Sequence, residues 1–466
     1  MSALILPPTQ VGWPSDVQIQ YPYGAFELGY WLAEVVSANG KKLRYSPDHG
    51  GFFRAGHACW ERMTEDEVLG FLRREHGDTL NEWVARWLKE EPREPAAQAL
   101  RAGLRGPLWS SKLLLIALKE KLFRSLSTPP RCEMAFANGI LSFGEGWHFE
   151  SFDPEKHDHR AASSVVFSES FFEAEVQDPF LDLLGSWEIS VDVEQYFRQL
   201  MAMALVGNLS RRYLIILGQG GCGKSLLRTV MGTALGDLAM VLPEDAFSRS
   251  GNHNAPLVDL ILRNPKYVFL PEAQGGVVSA STINACTGQD PISARKPNDR
   301  DDTTGIIDSL PIFLGESPPI IRGVTSGTIE RQSVVVLQPP KNRKGGGFLK
   351  DVRDPNHPLV VGFLSWLLNG VMQVGLTDVI PAVPEEIQGN NAASLSHQSP
   401  FLSWVLEQLN SGYWSEEGLT AAEAVQQFRA ETDHDMGIMT AGRLMSGLSR
   451  HLKSVLRRGR TYYLAR

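Results

Sequence analysis

Short, unbroken apolar runs separated by helix-like stretches dominate the middle of the chain. Tyr213-Leu214-Ile215-Ile216-Leu217, Tyr267 to Leu270, Leu310 to Leu314 and Ser333 to Leu337 are of this type. A continuous apolar run of that length reads as a strand buried on both faces, and such strands alternating with helices predict a mostly parallel, helix-covered sheet of the α/β class. The flanking regions carry other patterns. Lys42 to Trp60 predicts short strands around a Gly50-Gly51 turn. Thr64-x-x-Glu67 is a capping box opening a helix over Val68 to Arg74, with Gly77-Asp78 closing it and starting the next, so residues 1 to about 130 read as mainly helical. Ala135 to Phe152 returns to strands, with turns at Asn138-Gly139 and Gly144-Glu145-Gly146. Leu359 to Leu376 is the most apolar later stretch, but Ser365, Asn369 and Gln373 interrupt it, which predicts a buried helix rather than a membrane span. Asp378 to Pro400, rich in Pro, Gly and Asn, reads as a linker. After it, Phe401 to Leu409, Thr420 to Thr432 and Thr440 to Val455 predict helices, and Leu456 to Leu464 a hairpin turning at Arg458-Gly459. Helices followed by a basic two-stranded wing predict a winged helix.

Candidate chemistry begins directly after the first of the core strands. Gly218-Gln219-Gly220-Gly221-Cys222-Gly223-Lys224-Ser225 fits G-x-x-x-x-G-K-[ST], and Leu226 to Met231 after it is helix-like. Strand, glycine loop and helix follow in the order that phosphate binding requires. Gly218, Gly220, Gly221, Cys222 and Gly223 would turn backbone N–H groups onto phosphate oxygens, and the helix would add its positive end. Lys224 would reach the β- and γ-phosphates of ATP, and Ser225 would offer its hydroxyl to Mg²⁺. Hydrolysis also needs an acid near the attacking water, usually at the end of a neighbouring strand. Glu272, at the end of Lys266-Tyr267-Val268-Phe269-Leu270-Pro271-Glu272, is the candidate.

Composition narrows the setting. At 466 residues, two to four domains are expected, and the first residues carry no signal-peptide pattern. Cys59, Cys132, Cys222 and Cys286 show no C-x-x-C spacing, which argues against a disulfide framework or a zinc site and predicts a reducing cytoplasm. His157 and His159 lack further ligands at suitable spacing and read as part of a solvated loop. Cys222, inside the glycine loop, predicts thiol alkylation that blocks turnover and is prevented by bound ATP. A net charge of −8 excludes coating of nucleic acid by bulk electrostatics, but not local basic elements. From Thr440 to Arg466 there are Arg443, Arg450, Lys453, Arg457, Arg458, Arg460 and Arg466, and no acid.

With these elements in place, the region resembles the superfamily 3 helicases of the phage and plasmid primase-helicase type, relatives of the poxvirus replication ATPase. Family members follow the acid with a segment like T-G-G-D-x-x-x-A-R-[RK], and this chain has Thr287-Gly288-Gln289-Asp290-Pro291-Ile292-Ser293-Ala294-Arg295-Lys296. A sensor strand, a polar residue, a proline three positions on and then an arginine follow in the family. Here these are Leu310 to Gly315, Glu316, Pro319 and Arg331. Two departures stand out: Glu316 replaces the usual asparagine, and Glu330 replaces a second arginine beside Arg331. More loosely, Phe136-Ala137-Asn138-Gly139-Ile140 resembles the entry to the family's collar, so the similarity spans roughly residues 130 to 466.

The resemblance implies a P-loop ATPase core of AAA+ type over residues 186–345, preceded by a helical accessory domain (1–130) and a strand-containing collar (131–185). It also implies a helical extension and linker (346–394) and a winged-helix-like end (395–466). It implies a homo-oligomeric ring, usually a hexamer, in which Lys224, Ser225 and Glu272 of one subunit meet Arg331 of the next. Arg295, Lys296 and Arg300 would line a channel hairpin gripping single-stranded DNA near a forked duplex, with a separate primase or polymerase as partner, since the first 130 or so residues lack a primase signature. The expected activity is ATP-driven DNA unwinding, without membrane association. An origin-binding initiator or loader that never translocates is the alternative. A small-molecule kinase would leave Thr287 to Lys296 and Arg331 without a role.

Overall fold

The computed structural model describes the chain apart from residues 1–3, 6–17, 20–42, 91, 94, 125, 127–131, 208–210, 248–253, 272–276, 298–301, 325, 341–347, 375–378, 433–435, 449–451, 458–459 and 466. Two compact units form. The first comprises Met1–Pro130, Asn138–Ile140 and Glu150–Ala161, and the second Arg131–Ala137, Leu141–Phe149 and Ala162–Arg466.

In the first unit, Leu43–Ser46, Gly51–Ala55 and Trp60–Met63 make an antiparallel sheet. Gly50, at φ 72°, supplies the left-handed residue its turn needs. The Thr64 capping box is present, with the Thr64 N–H donating to Glu67 Oε2 at 2.7 Å and the Glu67 N–H to Thr64 Oγ1 at 3.2 Å. The helix it opens does not stop at Gly77. It runs unbroken over Glu65–Glu90, because Val68, Leu72, Leu80 and Val84 continue one apolar face into the core. That burial outweighs the roughly 1 kcal/mol a helical glycine costs. His157 and His159 are also buried, at 6% and 4% exposure, rather than solvated. His157 Nδ1 accepts the Asp153 N–H at 2.9 Å, and its carbonyl accepts the Trp60 indole at 2.9 Å.

The second unit is built on a five-stranded, wholly parallel sheet flanked by helices. Its strands are β1 (Tyr213–Leu217), β2 (Ala239–Val241), β3 (Tyr267–Pro271), β4 (Leu310–Gly315) and β5 (Gln332–Val336), in the spatial order β2-β3-β4-β1-β5. Helix α1 (Lys224–Leu235) follows β1, α2 (Ala255–Arg263) precedes β3, and α3 (Ala280–Gly288) lies between β3 and β4. Asn254 caps α2 by accepting the Leu257 N–H at 3.1 Å. The helices Val191–Leu205 and Pro358–Val374 pack on each other through Phe197 and Trp366, so the apolar run around Leu359 is a buried helix as expected. Tyr267 Oη donates to Met201 O at 2.7 Å and Tyr196 pairs with Ser333 at 2.7 Å, fastening the sheet to the first of these helices.

The expected linker is half wrong. Glu385–Gln398 is a helix, despite Gly389, Asn390 and Asn391. Its asparagines are needed there. Asn391 accepts the Val334 N–H at 2.9 Å and donates to Gln332 O at 3.0 Å, so a side-chain amide satisfies the open edge of β5. The last part of the unit contains helices Pro400–Asn410, Ala421–Glu431 and Ile438–Gly447 with a three-stranded sheet of Leu419–Thr420, Leu452–Arg457 and Arg460–Ala465. The helix expected to reach Val455 ends at Gly447. From Leu452 the chain is a strand instead, because pairing with Arg460–Ala465 satisfies its backbone and buries Leu452. Among the described residues, no helix is long and apolar enough to cross a membrane.

Candidate functional site

The glycine loop sits at the carboxyl edge of the parallel sheet, between β1 and α1. That is where open α/β sheets bind ligands. Gly223 caps α1 at φ 110° and Gly221 lies at φ 76°, conformations that other residues rarely adopt. A side chain at Gly218 would collide with Cys222 Sγ, 2.4 Å from the position of its Cβ. The first turn of α1 contains no acid, so the helix's own residues set no negative charge against its N-terminal N–H groups. Lys224 Nζ donates to the carbonyls of Gly218 and, at 3.2 Å, Gln219. The ammonium is thereby held against the loop itself. Ser225 is exposed on the first turn of α1.

Cys222 is fully buried, which corrects the expectation of a reactive thiol. Its sulfur fills the space under Gly218, 3.8 Å from Lys224 Nζ. A lone motif cannot reveal which way its variable residues point.

Register explains how Glu316 joins the loop. Gly315 at the end of β4 pairs with Leu217 at the end of β1, so Glu316 and Gly218 leave the sheet side by side. The carboxylate lies against the loop: a Cβ on Gly220 would be 3.1 Å from Glu316 Oε1. Glu272 lies outside the described residues. The strand leading to it ends at Pro271, which pairs with Leu314, so β3 delivers its chain to the same edge.

Arg331 occupies the opposite edge. It directly precedes β5, whose first residue, Gln332, pairs with Tyr213 at the start of β1. Its Nη1 donates to Asn284 O and Thr287 Oγ1, both at 2.9 Å, at the end of α3. Burial, and next the nearby Arg211 guanidinium, lower its pKa, with Asp290 and Glu330 acting the other way. Asn284 in turn donates to Thr328 Oγ1 at 3.0 Å, so Arg331, α3 and the short helix Ser326–Glu330 form one polar network. Ile329 of that short helix packs on the core of the last three helices, alongside residues such as Met445. Asn284 and Thr328 carry no sequence signal for this role.

Thr287 to Lys296 folds as the end of α3, a sharp turn and a strand. Gln289 adopts φ 60°, the left-handed conformation for which the resembling family's pattern uses glycine. Ile292–Ala294 then pairs antiparallel with Thr303–Gly305, forming a hairpin between α3 and β4. Lys296 Nζ contacts Asp259 Oδ1 at 2.8 Å, and Arg295 Nε lies 3.6 Å from Asp302 Oδ1. Both cations are therefore held by acids of the same chain. Arg300 lies outside the described residues. Of the basic C-terminal residues, Lys453, Arg457 and Arg460 are exposed on the two terminal strands.

No family model matches the chain, and no curated protein does. Among solved structures it is similar to the A form apo structure of the NrS-1 C-terminal region, at 12% identity and a TM-score of 0.45, covering 94% of this chain and 100% of that one. A second apo structure of the NrS-1 C-terminal region matches at 12% identity and a TM-score of 0.46, covering 94% of this chain and 99% of the other.

Proposed function

We propose that the chain is an ATP-dependent, ring-forming DNA helicase or translocase whose hydrolytic site lies between subunits. The observation that supports this most is the division of candidate groups between two edges of one sheet. Lys224, Ser225 and Glu316 stand at the carboxyl edge, and Arg331 at the amino edge. In this proposal the core is a P-loop ATPase of AAA+ type, as the resemblance to superfamily 3 implies. The N–H groups of Gly220, Gly221 and Gly223 hold the triphosphate, Lys224 leaves the loop carbonyls for its terminal oxygens, and Ser225 holds Mg²⁺. Glu272 orients water, and Arg331 of an adjacent subunit stabilises the charge that develops on the transferred phosphoryl group. The hairpin bearing Arg295, Lys296 and Arg300 faces single-stranded DNA, and the C-terminal domain is a winged helix whose exposed Lys453, Arg457 and Arg460 suit duplex phosphates.

A second reading, an ATP-dependent initiator or loader that assembles on DNA without processive unwinding, draws on the acid partners of Lys296 and Arg295, which a translocating hairpin would have to give up. A forked duplex with either a 3′ or a 5′ tail, incubated with and without ATP, separates the two. Catalytic strand displacement from one tail supports the motor. ATP-dependent binding without displacement supports the switch.

A further inference from the structure

Trp187 lies at the end of helix Asp178–Ser186, 35 positions before Cys222 and outside every motif of the site. It is 1% exposed and clamped by its backbone: its N–H donates to Leu184 O at 3.1 Å, and its carbonyl accepts the Gln338 N–H at 3.2 Å, just beyond β5. From that fixed base its indole Nε1 donates to the carbonyl of Cys222 at 2.7 Å, inside the glycine loop. The ring also lies against Gly223, where a Cβ would approach an indole carbon to 2.9 Å. Glycine is therefore required at 223 both by its φ of 110° and by the tryptophan beneath it.

We infer that Trp187 is a positioning residue that orients the anion-binding N–H of Gly223. The Cys222 carbonyl and the Gly223 N–H belong to one peptide plane, and in a trans peptide they point in opposite directions. Holding the carbonyl down on the buried indole turns the N–H outward, to the open side of the loop. Without that donor the plane is free to turn, and a turned plane presents a carbonyl oxygen to an anion in place of an N–H. Trp187 thus contributes to phosphate binding without touching phosphate. The same hydrogen bond spares a buried carbonyl from being left without a partner.

This rests on the proposal that the loop binds a nucleoside triphosphate, and the test separates the two. Trp187→Phe keeps an aromatic ring and removes the donor. Replacement of Trp187 by 3-benzothienylalanine keeps the size and shape of indole and removes only the N–H, which covers the case in which the phenylalanine variant does not fold. Full-length protein is assayed for kcat and KM with MgATP, for the Kd of a fluorescent ADP analogue, and for its thermal midpoint. The expected result is a rise of about tenfold in KM and Kd with kcat within about twofold of the parent, the pattern of lost ground-state binding. KM and Kd unchanged in a folded variant overturn the inference, even where the thermal midpoint falls, because a merely structural tryptophan does exactly that to stability and nothing to affinity. If the unsubstituted protein binds MgATP no better than Lys224→Ala, the nucleotide-binding proposal itself fails, and the role of Trp187 with it.

Discussion

Arg331 is too far from the glycine loop of its own chain to serve it, and this makes the inter-subunit proposal sharply testable. Gln332 pairs with Tyr213 and Val336 with Leu217, so the full length of β1 separates Arg331 from Gly218. At about 3.3 Å per residue that is roughly 17–20 Å, whereas an arginine side chain reaches only about 7 Å from its Cα. Arg331 therefore acts on a neighbour or not at all. Arginine fingers contribute about 10³–10⁵ in kcat, equivalent to roughly 4–7 kcal/mol of transition-state stabilisation. Arg331→Ala and Lys224→Ala are each expected to abolish measurable turnover. Mixed in equal amounts, they place an intact Lys224 opposite an intact Arg331 at about one interface in four of a closed ring, so ATPase should return to about a quarter of the unsubstituted rate. The assay is phosphate release from rings reassembled from the two variants, with mixing verified by mass. Mixed rings no more active than either parent would refute the role in trans. Because Arg331 also holds Asn284 O and Thr287 Oγ1, the thermal midpoint is followed in parallel, and a loss of about 1–2 kcal/mol from those contacts is expected. Such a loss does not depend on mixing, whereas the recovery of turnover does.

Four further outcomes are expected. All four cysteines are buried, so native protein should take up no N-ethylmaleimide within minutes while urea-unfolded protein takes up four equivalents by mass spectrometry; rapid labelling at Cys222 would contradict the packing of its sulfur under Gly218. Thr420 and Glu423 form a capping box on the helix Ala421–Glu431, and Thr420→Ala should cost about 1 kcal/mol in urea unfolding. Hydrogen bonds from the Thr420 backbone and side chain lower the Glu423 pKa, so its contribution should be complete above the ordinary glutamate range and vanish as pH falls through the depressed folded value; stability that rises on acidification through that window in the parent but not in Glu423→Gln would reverse the sign. Lys296→Ala should reduce by about one the slope of log affinity for single-stranded DNA against log salt, measured by anisotropy, and an unchanged slope would remove Lys296 from the phosphate contacts.

Legibility in the sequence followed the physical range of each interaction. The long strands β1, β3, β4 and β5 were visible because burial on both faces demands unbroken apolar runs, and the Thr64 box because capping acts over three residues. Strand β2 was not visible. Its three residues are only partly buried or exposed, and their pairing with β3 is set by the sheet rather than by their own pattern. Gly77 and the asparagines at 390 and 391 misled for the same reason: local preference favoured a break, and contacts distant in sequence overrode it.

The candidate site shows the same division, with a consequence for how it can be probed. The glycine loop and strand β4 with Glu316 are legible because each is a local pattern, yet what fixes the loop is not: Trp187 reaches it from a preceding helix, and Cys222, within the loop, turns inward beneath Gly218. Arg331 is similarly fixed by α3 and by a short helix that packs on the C-terminal core. Under the proposed function, a ligand that shifted that core would disturb the support of Arg331 at the amino edge rather than the loop at the carboxyl edge. DNA binding by the C-terminal domain, in this arrangement, would act on the rate of phosphoryl transfer at the neighbouring subunit rather than on affinity for nucleotide. Stimulation by DNA should accordingly appear in kcat and leave KM for MgATP nearly constant, the reverse of the pattern expected for Trp187→Phe. A DNA effect confined to KM would disconnect the C-terminal domain from Arg331.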